Sequence, residues 1–211
     1  SKIKKRRTGK LPSSEKDRGY YSNRVIGIVS STGGPEALIK IVSKFPSSFA
    51  VPILLVQHIA SGFSAGFVKW LGNYTDLTVK IAEHGEDVVP RTIYVGEAGR
   101  HLEVGLNRQL SVVEADAKDL YKPSGDRLLS SIAATYGRRA LGVILTGMGK
   151  DGSKGLNDIY QRGGHAIAQN EASSLVYGMP KAAIDLECVH DVVDLDEITS
   201  YILKWQDPNK A

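Results

Sequence analysis

Cysteine is almost absent from this chain of 211 residues, and the single cysteine, Cys188, cannot form a disulfide within the chain. A disulfide-stabilised secreted domain is therefore excluded, and a reducing compartment such as the cytoplasm is expected. Cys188 lies in an apolar stretch, so we interpret it as buried packing. No apolar run approaches the ~20 residues that cross a bilayer. The sequence therefore predicts no direct insertion into a membrane.

Histidine spacing typical of a metal site is also missing, because the five histidines are scattered along the chain. We therefore expect neither a metal nor a cofactor. The net excess of positive charge is confined to one end: residues 1–24 contain nine Lys or Arg and two acids, while the rest of the chain has a net charge of −3. A basic run of this kind is more often a solvated linker than a nucleic-acid surface. We interpret residues 1–24 as a basic flexible leader, and expect no nucleic-acid partner.

The remaining residues, 25–211, show apolar strands that alternate with amphipathic helices. This order is typical of an α/β domain with a doubly wound, mostly parallel sheet and helices on both faces. The stretches His101–Val104 and Leu110–Val113 predict a small antiparallel hairpin. In doubly wound folds, ligands bind outside the carboxyl ends of the strands, near a topological switch point. A functional site is therefore expected among the residues that follow the strands.

Three complementary side chains follow predicted strands. Ser31 comes just after Val25–Val29, His58 ends the second strand, and Asp151 lies in the loop after a later one. A hydroxyl, an imidazole and a carboxylate are the groups that serine acyl transfer requires. Each also has a simpler interpretation: a serine that caps a helix, a core histidine and a turn aspartate. Their arrival at one edge of the sheet favours the catalytic interpretation.

A second pattern competes for the same loop. Residues 147–152 read Gly-Met-Gly-Lys-Asp-Gly, which follows a strand, precedes a helix, and has Glu171 about 20 residues further on. This is the formal fingerprint of a dinucleotide-binding loop. Asp151 would then place a second anion beside a pyrophosphate, which is unfavourable. A dinucleotide-binding protein remains one alternative, and a catalytically silent binding module with the same fold is another.

Several motifs together resemble a known family. The sequence resembles the catalytic domain of CheB, the chemotaxis protein-glutamate methylesterase family, from about Val25 to the last predicted helix. The motifs that carry the resemblance, in order and spacing, are Ser-Thr-Gly-Gly-Pro-Glu-Ala at 31–37, Val-Gln-His at 56–58, Leu-Thr-Gly-Met-Gly-Lys-Asp-Gly at 145–152, Ala-Gln-Asn-Glu-Ala-Ser at 168–173 and Tyr-Gly-Met-Pro at 177–180.

The resemblance implies a serine hydrolase that demethylates glutamate methyl esters on bacterial chemoreceptors, giving glutamate and methanol, and that also deamidates receptor glutamines. It implies Ser31 as the nucleophile, His58 as the general base and Asp151 as the orienting carboxylate. It implies no cofactor, a cytoplasmic location, and the cytoplasmic helices of methyl-accepting chemoreceptors as partners.

The resemblance also implies residues around the substrate. We expect the backbone N–H groups of Thr32 and Met148 to bind the oxyanion, and we add Gly33 and Tyr121 as candidates for the substrate site. Tyr121 stands where family members often carry histidine. The family usually has a phosphorylated receiver domain upstream, which we do not find in these residues. Residues 1–24 resemble the linker that follows such a domain, and residues 25–211 the catalytic domain.

Overall fold

The computed structural model describes residues 23–206, so most of the predicted leader lies outside the described residues. Fifteen helices and strands are arranged in the order β1 (Val25–Ser30), α1 (Gly34–Val42), β2 (Ile53–Gln57), α2 (Ser64–Leu71), β3 (Thr78–Ile81), β4 (Thr92–Val95), β5 (Arg100–Val104), β6 (Leu110–Glu114), α3 (Gly125–Tyr136), β7 (Ala140–Ile144), α4 (Ser153–Gln161), β8 (His165–Gln169), α5 (Gly178–Ile184), β9 (Asp191–Val193) and α6 (Leu195–Gln206).

Seven of the strands form one sheet in the order β3-β4-β2-β1-β7-β8-β9. Every neighbouring pair in it is parallel. From β1 the chain winds first toward β3 and later toward β9, so the direction of winding reverses between β1 and β7. The strands β5 and β6 form a separate antiparallel pair. The predicted fold class, including the hairpin, is confirmed.

Two apolar cores lie on opposite faces of the sheet, because successive strand residues point to opposite sides. Ile26 and Ile28 of β1 pack with buried residues of α1, α2 and α6. Val25 and Val29 pack with α3, α4, α5 and the small hairpin. Because both faces are covered, the central strands are apolar throughout, as the sequence predicts for a parallel sheet. Cys188 is fully buried in the second core, as predicted.

Helix ends differ from the sequence prediction by a few residues. The sequence predicts a last helix from Ile198 to Trp205. The helix instead begins at Leu195, because Asp194 accepts a hydrogen bond from the amide of Asp196 (3.0 Å) and so caps the first turn. The first helix ends at Val42, three residues earlier than its apolar pattern indicates. No helix in residues 23–206 is long and apolar enough to span a membrane.

Candidate active site

The carboxyl ends of three adjacent strands bring Ser31, His58 and Asp151 to one edge of the sheet. Ser30 pairs with Gln57 at the end of β1 and β2, so Ser31 and His58 are the next residues on neighbouring strands. On the other side of β1, the amide of Ser31 donates to the carbonyl of Thr146, just after β7 (3.1 Å). The site therefore lies at the topological switch point, where doubly wound sheets bind their ligands.

His58 and Asp151 form a direct pair, with 2.8 Å between Nε2 of the imidazole and Oδ2 of the carboxylate. The carboxylate can only accept a hydrogen bond when ionised, so Nε2 carries the proton. Nδ1 is then an unprotonated acceptor, and it makes no hydrogen bond in the part of the chain that the structure describes. The pairing fixes the tautomer of His58 and leaves one ring nitrogen free to take a proton.

Asp151 is almost fully buried and is held by the start of α3. Its Oδ1 accepts hydrogen bonds from the hydroxyl of Ser124 and the amide of Asp126, both at 3.0 Å, and its Oδ2 accepts one from the amide of Gly125. Burial alone would raise the pKa of Asp151, but the hydrogen bonds from His58 and from the two amides outweigh it and lower the pKa below its usual value. The carboxylate therefore stays charged beside the imidazole at neutral pH.

Ser124 is a site residue that the sequence analysis missed. It is the N-cap of α3, and its amide donates to Nδ1 of the buried His101 (3.2 Å). Nε2 of His101 in turn lies 2.8 Å from a carboxylate oxygen of Asp119. The signal available in the sequence is a serine before a helical pattern, which predicts a cap but not that the cap faces Asp151.

Gln57 is a second residue that the sequence analysis missed. Its side chain is buried, and Nε2 donates to the carbonyl oxygens of Ser31 (2.9 Å) and His58 (3.0 Å). Its Oε1 accepts a hydrogen bond from the hydroxyl of Ser30 (2.7 Å). One amide group thus joins the backbones that carry the proposed nucleophile and base. Ser30 is occupied by this contact, which leaves Ser31 as the hydroxyl at the site.

The hydroxyl of Ser31 has no hydrogen-bond partner within residues 23–206. Hydrogen bonds between a nucleophile and its base often tighten only when substrate binds. The backbone N–H groups of Thr32 and Met148 also donate to nothing in the described chain, and the Thr32 carbonyl accepts from the Thr146 hydroxyl (2.9 Å). A Cβ placed at Gly147 would lie 2.7 Å from Cβ of Ser31. The Met148 turn therefore borders Ser31, and two amides are available for an oxyanion.

The two remaining predicted residues also lie near these groups. The ring of Tyr121 stacks on the imidazole of His58, with 5.1 Å between centroids and 12° between planes. Gly33 caps the start of α1 with a φ of 81°, and a Cβ there would lie 2.8 Å from Cβ of Leu175. The structure thus brings all seven predicted site residues to one region of the sheet edge.

The dinucleotide alternative is not favoured, because the helix that would bind the pyrophosphate is already capped. In α4 the amides of Lys154 and Gly155 donate to Oδ1 of Asp126, at 2.9 and 3.0 Å. A phosphate bound there would compete with a carboxylate already in place. Among residues 23–206 there is no cluster of three or more side chains suited to holding a metal ion.

Comparisons with known proteins identify the family of this chain. The family model for CheB methylesterase matches residues 26–202. The protein-glutamate methylesterase FrzG of Myxococcus xanthus is 42% identical over 183 residues, which cover 87% of this chain and 55% of FrzG. A protein-glutamate methylesterase/protein-glutamine glutaminase of Nitratidesulfovibrio vulgaris is 43% identical over 182 residues, or 85% of this chain and 50% of the relative.

A solved structure gives the same result. The CheB methylesterase catalytic domain of Thermotoga maritima superposes with a TM-score of 0.83 at 33% identity, covering 87% of this chain and 98% of that domain. This chain spans about half the length of the curated relatives that it matches. The match to the family model and the identity to these relatives show that the chain belongs to the CheB methylesterase family.

Proposed function

We propose that this chain is a protein-glutamate methylesterase that hydrolyses glutamate methyl esters on the cytoplasmic helices of methyl-accepting chemoreceptors, with Ser31 as the nucleophile. Family membership and the names of the relatives support the activity. Within the structure, the observation that carries the proposal is the contact between His58 and the buried Asp151, one strand away from Ser31. The proposed location is the cytoplasm, and an upstream receiver domain in the full-length protein is a proposed partner.

The first half of the reaction forms an acyl-enzyme. Oγ of Ser31 attacks the ester carbonyl while Nδ1 of His58 accepts the hydroxyl proton, because Nε2 is already bound to Asp151. Asp151 holds the ring and stabilises the imidazolium that forms. The amides of Thr32 and Met148 donate to the oxyanion, and each such donor contributes about 10²–10³ in rate. The imidazolium then protonates the departing methoxide, and methanol leaves.

The second half regenerates the enzyme. The same nitrogen of His58 takes a proton from water, and the hydroxide attacks the acyl-serine carbonyl. Collapse of the second tetrahedral intermediate returns the proton to Ser31 and releases a glutamate side chain. An amide in place of the ester would follow the same path and release ammonia, so we extend the proposal to deamidation of receptor glutamines. Ammonia release from unmodified receptor tests this extension.

The proposed function is tested by replacing the nucleophile. Ser31→Ala should lower methanol release from methylated receptor by about 10⁴–10⁶-fold, by analogy with other triads that act as a unit. Ser47→Ala is the matched control, since Ser47 is an exposed serine that follows α1 and lies before β2, at the opposite edge of the sheet. It should react as the parent does. Methanol release that survives Ser31→Ala would refute the assignment, and no release by the parent would favour the silent binding module.

A further inference from the structure

The two backbone amides that bind the oxyanion in the proposed mechanism are each oriented by what holds the preceding carbonyl. The amide of Thr32 shares a peptide unit with the carbonyl of Ser31, and that of Met148 shares one with the carbonyl of Gly147. Both of these peptide bonds are trans. In a planar trans peptide the carbonyl and the N–H point in opposite directions. A hydrogen bond that anchors the carbonyl on one side therefore directs the N–H to the other side.

Both carbonyls are anchored from behind. The carbonyl of Ser31 accepts one hydrogen bond from the amide of Gly34 (2.8 Å) and one from Nε2 of Gln57 (2.9 Å). The first closes a tight backbone turn, whereas the second comes from a buried side chain of the neighbouring strand. The carbonyl of Gly147 accepts from the amide of Met179, in the first turn of α5 (2.9 Å). Within the described chain, Gln57 is the only side chain that donates to either carbonyl.

The side-chain amide of Gln57 is itself held in one orientation. Its second N–H donates to the carbonyl of His58 (3.0 Å), and its oxygen accepts from the hydroxyl of Ser30 (2.7 Å). Both N–H groups and the oxygen are therefore engaged, as a buried amide requires. The space around it is also reserved, because a Cβ at Gly34 would lie only 2.1 Å from Oε1 of Gln57. The absence of a side chain at position 34 thus allows the amide to reach the carbonyl of Ser31.

We propose that Gln57 is a positioning residue, which directs the amide of Thr32 toward the oxyanion by anchoring the carbonyl of Ser31. This inference rests on the proposed function and adds to it a side chain that does not touch the substrate. A misdirected amide leaves the oxyanion without one of its two donors, so the transition state is destabilised while binding of the ester is not. The expected result of losing Gln57 is a lower kcat with an unchanged KM.

The test is Gln57→Met, which keeps an unbranched side chain of similar length but has no N–H donor. An oxyanion donor contributes about 10²–10³ in rate, and the amide of Gly34 still holds the carbonyl of Ser31, so kcat should fall by about 10–100-fold. The loss should be equal for methylated receptor and for p-nitrophenyl acetate, because both esters pass through an oxyanion. The acid limb of the pH–rate profile should not move, since His58 and Asp151 keep their contact.

A second variant and a control separate positioning from stability. Gly34→Ala leaves the chemistry of Gln57 unchanged but displaces its amide, so it should lower kcat similarly, and the double variant should be about as slow as either single one. Thr199→Val is the matched control, since the buried hydroxyl of Thr199 donates to the carbonyl of Ile41 near the end of α1 (3.0 Å). It should lower the melting temperature by about 2–4 °C and leave kcat at the parental value.

Other results would overturn the inference. A parental kcat in Gln57→Met would show that the Thr32 amide does not depend on it, and a shifted acid limb would mean that Gln57 acts through His58. A higher KM for receptor alone would place Gln57 in substrate binding. Slower turnover in Thr199→Val, in step with its melting temperature, would reduce the effect to stability. If the parent cleaves p-nitrophenyl acetate but releases no methanol from receptor, the proposed function fails, and kcat for the small ester still decides the role of Gln57.

Discussion

The phenol ring of Tyr121 covers one face of the His58 imidazole, with 5.1 Å between the ring centroids. The rings are nearly parallel, so the contact involves the π face of the tyrosine rather than its hydroxyl. A positive charge over such a face is attracted by about 0.5–2 kcal/mol. In the proposed mechanism, His58 gains a positive charge when it takes the proton of Ser31. Tyr121 is therefore placed to favour the charged intermediate over the resting state.

Removing this ring should slow turnover without weakening substrate binding. We expect Tyr121→Ala to lower kcat by about 2–10-fold, which corresponds to the loss of a ring contact of 0.5–1.5 kcal/mol, with little change in KM. Tyr121→Phe keeps the ring and should retain the parental kcat. Steady-state kinetics with methylated receptor measure both values. A Phe variant as slow as the Ala variant would show that the hydroxyl, not the stack, is what matters.

At the scale of elements, α3 and α4 cap each other. Asp151, just before α4, accepts hydrogen bonds from the first amides of α3, and Asp126, in the first turn of α3, accepts them from the first amides of α4. Helix N-termini leave amides unsatisfied and favour negative charge, so each carboxylate stabilises the helix of the other. The proposed catalytic carboxylate is thus also part of a helix–helix contact.

The two carboxylates should respond differently to the same substitution. Asp126→Asn keeps an acceptor for Lys154 and Gly155 and removes a partly buried charge, so the free energy of unfolding should be nearly unchanged. Asp126→Ala should lower it by about 1 kcal/mol, the usual contribution of a cap. Asp151→Asn should lower it by roughly 1.5–3 kcal/mol at neutral pH, because charged hydrogen bonds are lost. Urea unfolding followed by circular dichroism gives all three values.

The contributions of Asp151 and Asp126 to stability should also depend on pH in opposite directions. The folded-state pKa of Asp151 is lowered, so its stabilising contribution is present above the usual carboxyl pKa and is lost as the pH falls through the folded value. Burial, and to a lesser degree the charge of Asp151, raises the pKa of Asp126. The ionised Asp126 therefore lowers the free energy of unfolding, and this cost disappears when Asp126 is protonated at acid pH. The stability difference between parent and Asp151→Asn should therefore shrink toward acid pH. If this stability difference did not change with pH, the pKa of Asp151 would not be lowered in the folded state.

Across the whole molecule, the helices and the sheet approach each other closely at two paired glycines. Gly27 of β1 and Gly142 of β7 are paired in the sheet, beneath α3 and α4. A Cβ at Gly27 would lie 2.5 Å from Cδ2 of Leu129, and one at Gly142 would lie 2.4 Å from Cδ1 of Leu156. These side chains must move for a methyl group to fit, so the distance between helix layer and sheet is set here.

Gly142→Ala should therefore destabilise the protein by about 1–3 kcal/mol through overpacking. Gly66 is the contrasting position, because a Cβ there meets nothing within 4 Å and the residue lies inside α2. Gly66→Ala should stabilise by about 0.5–1 kcal/mol. Thermal unfolding of the two variants beside the parent measures both effects. A Gly142→Ala protein as stable as the parent would show that α4 can move away from the sheet.

Much of this arrangement is visible in the sequence, because a parallel sheet buried on both faces leaves continuous apolar runs such as residues 53–56. The side chains that follow those runs must meet at one edge, which is why Ser31, His58 and Asp151 could be predicted together. The role of Ser124 could not, since it depends on how α3 packs against a loop 27 residues later in the chain. Which imidazole nitrogen faces Asp151 is likewise set by tertiary geometry.

Asp151 contributes both to the proposed site and to the contact between α3 and α4, and this matters when an inactive variant is chosen for isolating a complex with receptor. An inactive protein made by changing Asp151 would also loosen the start of α3, so weak binding could reflect a damaged surface. The hydroxyl of Ser31 makes no hydrogen bond within residues 23–206, and its removal leaves the hydrogen bonds between Asp151 and the start of α3 intact. A Ser31→Ala protein is therefore better suited to cross-linking or cryo-electron microscopy of the complex, because it should still bind methylated receptor but not hydrolyse the ester.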